Sequence, residues 1–116
     1  MAVRIQRRRT KGWRMPAGAF NVTRPGPWGN PFVLPPKADA GERNRLVAFF
    51  RECLLRAIRG FPFPAGPDGR SLSAETMARF EYMAANLFRL RGKDLCCYCP
   101  PSAPCHADVL IELANG

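Results

Sequence analysis

With 116 residues, 47% of them apolar and 10% aromatic, the chain can bury one modest core and is too apolar for a disordered segment, while Pro 12 and Gly 10 foretell short elements joined by long loops. No stretch approaches the ~20 apolar residues of a membrane span, and the charged first ten residues have no apolar run behind them, which argues against a spanning helix and a secretory signal and for a cytoplasmic protein. The formal charge of +9 is uneven: residues 1–37 hold eight basic side chains and no acid, and the remainder nets only +1, the footprint of a phosphate-bearing partner or, more blandly, of a solvated basic end.

Val3 to Gln6 reads as a short strand and Ala19 to Thr23 as a second, with the Gly, Pro and Trp punctuation of residues 11–18 between them. Residues 24–36 contain five prolines, which fix dihedral angles and remove donors, so a stiff exposed loop is expected there. Asp39 followed by Glu42 forms a capping-box pattern and opens an amphipathic helix over residues 40–59, with Leu46, Val47, Phe50, Cys53, Leu54, Ala57 and Ile58 on one face and Gly60 as its end. Residues 61–69 return to loop, with Pro67-Asp68-Gly69 as a turn. Ser73 is placed to cap a second helix over residues 74–91, burying Met77, Phe80, Met83, Ala84, Leu87 and Phe88 and closing at Gly92. Leu95 to Cys99 alternates as a strand, with Leu95, Cys97 and Cys99 on one face and Cys96 and Tyr98 on the other. Prolines 100, 101 and 104 break it, and residues 105–114 regain helical spacing.

Chemistry concentrates at that strand-loop-helix end, where Cys97, Cys99, Cys105 and His106 fall within ten residues. The five cysteines are odd in number and clustered, which fits a reducing compartment better than a disulfide scaffold. Cys53 belongs to a helix core, and Cys96 faces away from its neighbours. Three readings of the remaining set stand side by side. Three thiolates and an imidazole make the donor set of a tetrahedral zinc site, although the C-x-C-x5-C-H spacing departs from paired C-x-x-C. A thiol at a helix N-terminus beside an imidazole can act as a nucleophile, which would make Cys105, His106 and Asp108 a catalytic group with Asp108 orienting the imidazole. Packed structural cysteines are the third reading. A second constellation lies in the basic segment, where Arg14 and Arg24 can hold phosphate, Trp28 can stack on a base and Asn30 can pair with a base edge or sugar hydroxyl. Packing of the Trp28 and Phe32 rings over the core is its plain alternative.

On these residues the chain resembles a bacterial and phage family known as domain of unknown function 4326. The resemblance rests on residues 8–16 (Arg-Arg-Thr-Lys-Gly-Trp-Arg-Met-Pro), on Gly29-Asn30-Pro31-Phe32 after Arg24 and Trp28, and on residues 90–108 with their Gly-Lys-Asp-Leu, Cys-Tyr-Cys and Cys-His-Ala-Asp elements. In the family pattern Tyr98 is commonly Trp and Cys96 is not a fixed cysteine, which implies that Cys97, Cys99, Cys105 and His106 form the set that matters. No activity comes with the resemblance.

The expected protein is therefore a single α/β (or α+β) domain over residues 1–116, with two or three short strands, about three helices and helices outweighing strands. Its leading functional reading is a nucleotide- or nucleic-acid-binding protein whose basic loop presents a phosphate-bearing ligand to a Cys/His site, which requires the two constellations to lie together. The alternatives are a non-enzymatic, zinc-stabilised module gripping DNA or RNA through its basic arm, and a phage interaction protein that sequesters a nucleotide or masks a host protein.

Overall fold

Leu95, Cys96 and Cys97 form a continuous apolar run, and a strand of that composition is stable where both its edges are paired. In the computed structural model, which describes residues 2–24, 26–32, 39–66, 68–100 and 102–116, this run is the central strand of a three-stranded, all-parallel sheet. Strand β1 (Arg4–Gln6) lies on one side and β2 (Phe20–Asn21) on the other of β3 (Leu95–Cys97). Arg4 pairs with Leu95 and Gln6 with Cys97 across the first edge, and Phe20 pairs with Leu95 across the second. Because all three run the same way, their C-terminal ends meet at one edge, where parallel sheets present ligand-binding loops.

All three strands are shorter than their sequence patterns suggest. The last rungs are Arg7 N–H to the Cys97 carbonyl at 2.6 Å and Val22 N–H to the Cys96 carbonyl at 3.0 Å, beyond which the neighbouring chains diverge. Tyr98 and Cys99 therefore bend away from the sheet instead of extending β3.

Helix α1 (Ala40–Arg59) begins as expected, with Asp39 Oδ1 accepting from Glu42 N–H at 2.7 Å, and ends at Gly60, whose φ of 72° is the left-handed conformation glycine adopts without penalty. Its face carries Phe50, Cys53 and Leu54 into the core, but Ile58, expected there too, is 44% exposed. Helix α2 (Ala74–Asn86) is capped by Ser73 Oγ, which accepts from Thr76 N–H at 3.1 Å. It stops earlier than its pattern suggests and tightens into a 3₁₀ turn over Leu87–Leu90. That change of pitch rotates the following side chains, so Leu87 and Leu90 are buried while Phe88, expected in the buried stripe, is 70% exposed. Gly92 then follows the turn, its N–H held by Asn115 Oδ1 at 2.9 Å. Helix α3 (His106–Asn115) packs on that turn, on α1 and on β3.

Phe50 and Phe80 sit at the centre, their rings 5.3 Å apart, with Leu54, Met83, Leu95 and Leu110 fully buried around them. The mixed α/β class and the dominance of helix are as the sequence implied. The expected proline loop over residues 24–36 falls partly on Pro25 and residues 33–36, the expected turn partly on Pro67 and the expected strand-breaking prolines partly on Pro101; these lie outside the described residues. Among the described residues no helix is long and apolar enough to cross a membrane.

Candidate functional site

The strand ends converge on the N-terminus of α3. Cys97 is the last residue of β3, Cys99 lies beyond the bend, and Cys105 is the N-cap of α3 in extended conformation (φ −149°). The proline loop between them is fixed from outside by Arg4 of β1, whose guanidinium donates to the carbonyls of Pro100 (3.0 Å) and Ala103 (2.8 Å) and pairs with the Asp108 carboxylate at 3.1 Å. With the loop so folded, the sulfurs of Cys97, Cys99 and Cys105 all lie within 4.8 Å of one another, and those of Cys97 and Cys105 are 3.4 Å apart. Sulfurs bound at about 2.3 Å to one tetrahedral ion sit roughly 3.8 Å apart, so this spacing can hold a metal ion.

His106 stands beside this trio, next to Cys105, and not within it. Its Nε2 lies 2.9 Å from the Val22 carbonyl and 3.1 Å from that of Trp28. Carbonyls only accept, so Nε2 carries the proton and Nδ1 is left as an acceptor, facing the Cys105 sulfur at 3.5 Å. Burial lowers the affinity of this imidazole for a second proton, which keeps it neutral.

The thiols share charge unequally. Cys99 is held well below the usual thiol range, first by hydrogen bonds from Cys105 and Cys97 and then by the field of Arg43, whose Nη1 lies 4.0 Å from the sulfur. Cys97 is pushed up by its hydrogen bonds with Cys105 and Cys99 and by burial. For Cys105 the hydrogen bond with Cys97 lowers the value, but the one with Cys99 and burial raise it by more. Of the three, Cys99 is the thiol favoured to lose its proton, and Cys105, the candidate nucleophile of the sequence, is the less acidic. Cys53 is separate from all this, a core thiol pushed up to about 11 by burial.

The trio opens into a cleft of about 440 Å³ at the C-terminal edge of the sheet, a volume within the ~300–1,000 Å³ range of small-molecule sites. Arg9, Arg24 and Arg43 line it together with Thr23 and Asn30, and no carboxylate does so among the described residues. Arg24 and Asn30 of the basic-loop constellation thus share one cavity with the cysteines. Asn30 stands at the wall, its Oδ1 accepting from Phe32 N–H at 2.9 Å.

Three expected site residues are placed otherwise. Trp28 is only 9% exposed, edge-on to Tyr82 at 5.8 Å, so its indole is core and only its carbonyl reaches the site. Asp108 turns to Arg4, and the orienting of His106 falls to the two backbone carbonyls. Arg14 is exposed and does not line the cleft. Conversely, Arg43 was hidden in the sequence within the first turn of an ordinary amphipathic helix, and Arg9 within a basic run with nothing to single it out.

Gly29 makes the loop geometry possible. A Cβ there would meet Arg24 Cγ at 2.8 Å and its Cα at 2.9 Å, a clash with backbone that only movement of Arg24 relieves. Gly29→Ala is expected to cost about 1–3 kcal/mol in denaturant unfolding and to displace Arg24 from the cleft.

No curated protein and no solved structure matches the chain. The family model described as Domain of unknown function (DUF4326) matches residues 5–116. That span takes in most of β1, the basic loop, the cysteine trio and α3, and on it the chain belongs to the DUF4326 family.

Proposed function

We propose that the chain binds a phosphate-bearing small molecule, a nucleotide, in the cleft at the C-terminal edge of its sheet, next to a zinc ion held by Cys97, Cys99 and Cys105. The observation that carries this reading is the convergence of Arg9, Arg24 and Arg43 on one cavity without a lining carboxylate among the described residues. Guanidinium groups favour phosphate through paired, charge-assisted hydrogen bonds, and a cleft of one sign concentrates the field. The soft sulfur donors suit zinc. Three thiolates on a divalent ion leave one net negative charge, which Arg43 beside Cys99 offsets, and the fourth position falls to a molecule in the cleft. His106, fixed by the carbonyls of Val22 and Trp28, stands directly behind Cys105.

The test is a binding panel of inorganic phosphate, pyrophosphate, nucleoside mono-, di- and triphosphates and short single-stranded oligonucleotides, read by calorimetry and by recovery of intact ligand. Saturable binding of nucleoside phosphates at one site per chain is expected, and product formation would separate a catalytic cleft from a sequestering one. The reading fails if no member of the panel binds. A second reading, a zinc-stabilised module that grips nucleic acid through its basic arm, has support in the exposure of Arg8, Lys11 and Arg14 outside the cleft. It would be favoured if only oligonucleotides bind, with affinity falling steeply as salt rises.

A further inference from the structure

A cleft that holds a nucleotide needs a surface for the base, and the indole expected to supply it is buried against Tyr82. Two aromatic side chains, Phe32 and Tyr98, do line the cleft; the Phe32 ring packs on Phe49 and Phe80, whereas Tyr98 is 39% exposed beside the arginines. It sits on the bend after β3, next in sequence to two of the three clustered sulfurs. Two guanidinium groups lie over it, Arg9 at 4.7 Å and Arg7 at 5.3 Å from the ring centroid. They differ in what else holds them. Arg7 donates to Thr23 Oγ1 at 3.3 Å, whereas Arg9 has Tyr98 as its sole contact of this kind among the described residues.

We infer that Tyr98 is the base-stacking ledge of the cleft and that Arg9 is a cation parked on it. This rests on the nucleotide reading of the cleft and adds the recognition of the base. When a nucleoside phosphate enters, Arg9 turns from the ring to the phosphate, joining Arg24 and Arg43, and the base takes its place on the phenol ring. The exchange is favourable, because a stacked base is worth more to the ring than a solvent-exposed cation over its π-face. Every base has a π-face, so the ledge selects nucleotides over bare phosphates without choosing strongly among bases.

The experiment measures the affinities of the full chain for a purine nucleoside monophosphate and for inorganic pyrophosphate, in the wild type and in Tyr98→Ala, Tyr98→Leu and Tyr98→Trp, with melting curves to verify folding. Tyr98→Ala and Tyr98→Leu are expected to weaken the nucleotide roughly tenfold and to leave pyrophosphate within about twofold, while Tyr98→Trp retains or tightens nucleotide binding. The Leu variant keeps the cleft wall apolar, so a loss there reports stacking and not packing. Equal weakening of both probes, or an unaffected nucleotide, would overturn the ledge. If the wild type binds pyrophosphate but the nucleotide no more tightly, the ledge falls and the anion cleft stands; if it binds neither, the cleft reading falls and the ledge with it.

Discussion

Strong chelation of the purified protein is expected to release one zinc ion per chain and to lower the unfolding midpoint by roughly 10 °C or more, because a metal bound only by the folded arrangement contributes its binding free energy to folding. The expectation follows from where the three sulfurs come from. Cys97 ends a buried strand, Cys99 follows a bend and Cys105 caps a helix, so an ion joining them ties the sheet edge to α3 through a loop that otherwise depends on Arg4. Cys99→Ser and Cys105→Ser should each abolish stoichiometric zinc, whereas Cys53→Ala, altering a thiol remote from the trio, should keep it at a stability cost of about 1 kcal/mol. Elemental analysis and calorimetric melting with and without chelator provide the measurement. Protein that is metal-free as purified, takes up no added zinc and melts unchanged with chelator would leave the trio as packed thiols. Chelation is the deciding arm, since a serine in a packed sulfur cluster is destabilising with or without an ion.

The second large effect is on anion affinity. Arg24→Ala is expected to weaken pyrophosphate and nucleotide binding by roughly tenfold to a hundredfold, the worth of a charge-assisted hydrogen bond in a partly enclosed site, and to flatten the dependence on salt. Arg43→Ala should weaken binding by a similar factor and also disturb the thiolate of Cys99, 4.0 Å from its guanidinium, so Arg24 gives the cleaner comparison. Arg43→Lys keeps the charge but loses the planar fork, and intermediate affinity is expected. Arg14→Ala, outside the cleft, should stay within about twofold. Titration calorimetry at two ionic strengths distinguishes these outcomes, and equal losses for the Arg14 and Arg24 variants would point to a diffuse basic surface instead of a built cleft.

These expectations rest on features of unequal visibility in the chain. The helix starts were legible because capping is local: Asp39 and Ser73 each bond to an N–H three residues on, and both bonds are present. The cysteine cluster was legible because its members are close in sequence and sulfur is rare. The end of α2 was not, since the tightening at Leu87 answers to how the turn packs on α3 and leaves the apolar periodicity running past it. Trp28 misled for a related reason: an indole in a basic, proline-rich loop has the composition of a ligand-binding surface, and only packing against Tyr82 decides that it is interior.

The sequence by itself determined the class of the fold, the helix N-termini, the concentration of positive charge in the first 37 residues and the donor set near the C-terminus. Each of these depends on composition or on contacts a few residues apart, which a linear pattern records. Tertiary structure alone decided that β3 runs between β1 and β2, that Arg9, Arg24 and Arg43 face the sulfurs across one cleft, that His106 answers to the carbonyls of Val22 and Trp28, and that Asp108 serves Arg4. Those partners lie from tens of residues to about a hundred apart, and what joins them is the meeting of parallel strand ends at one edge of a sheet, a relation carried by pairing and packing and by no local run of residues.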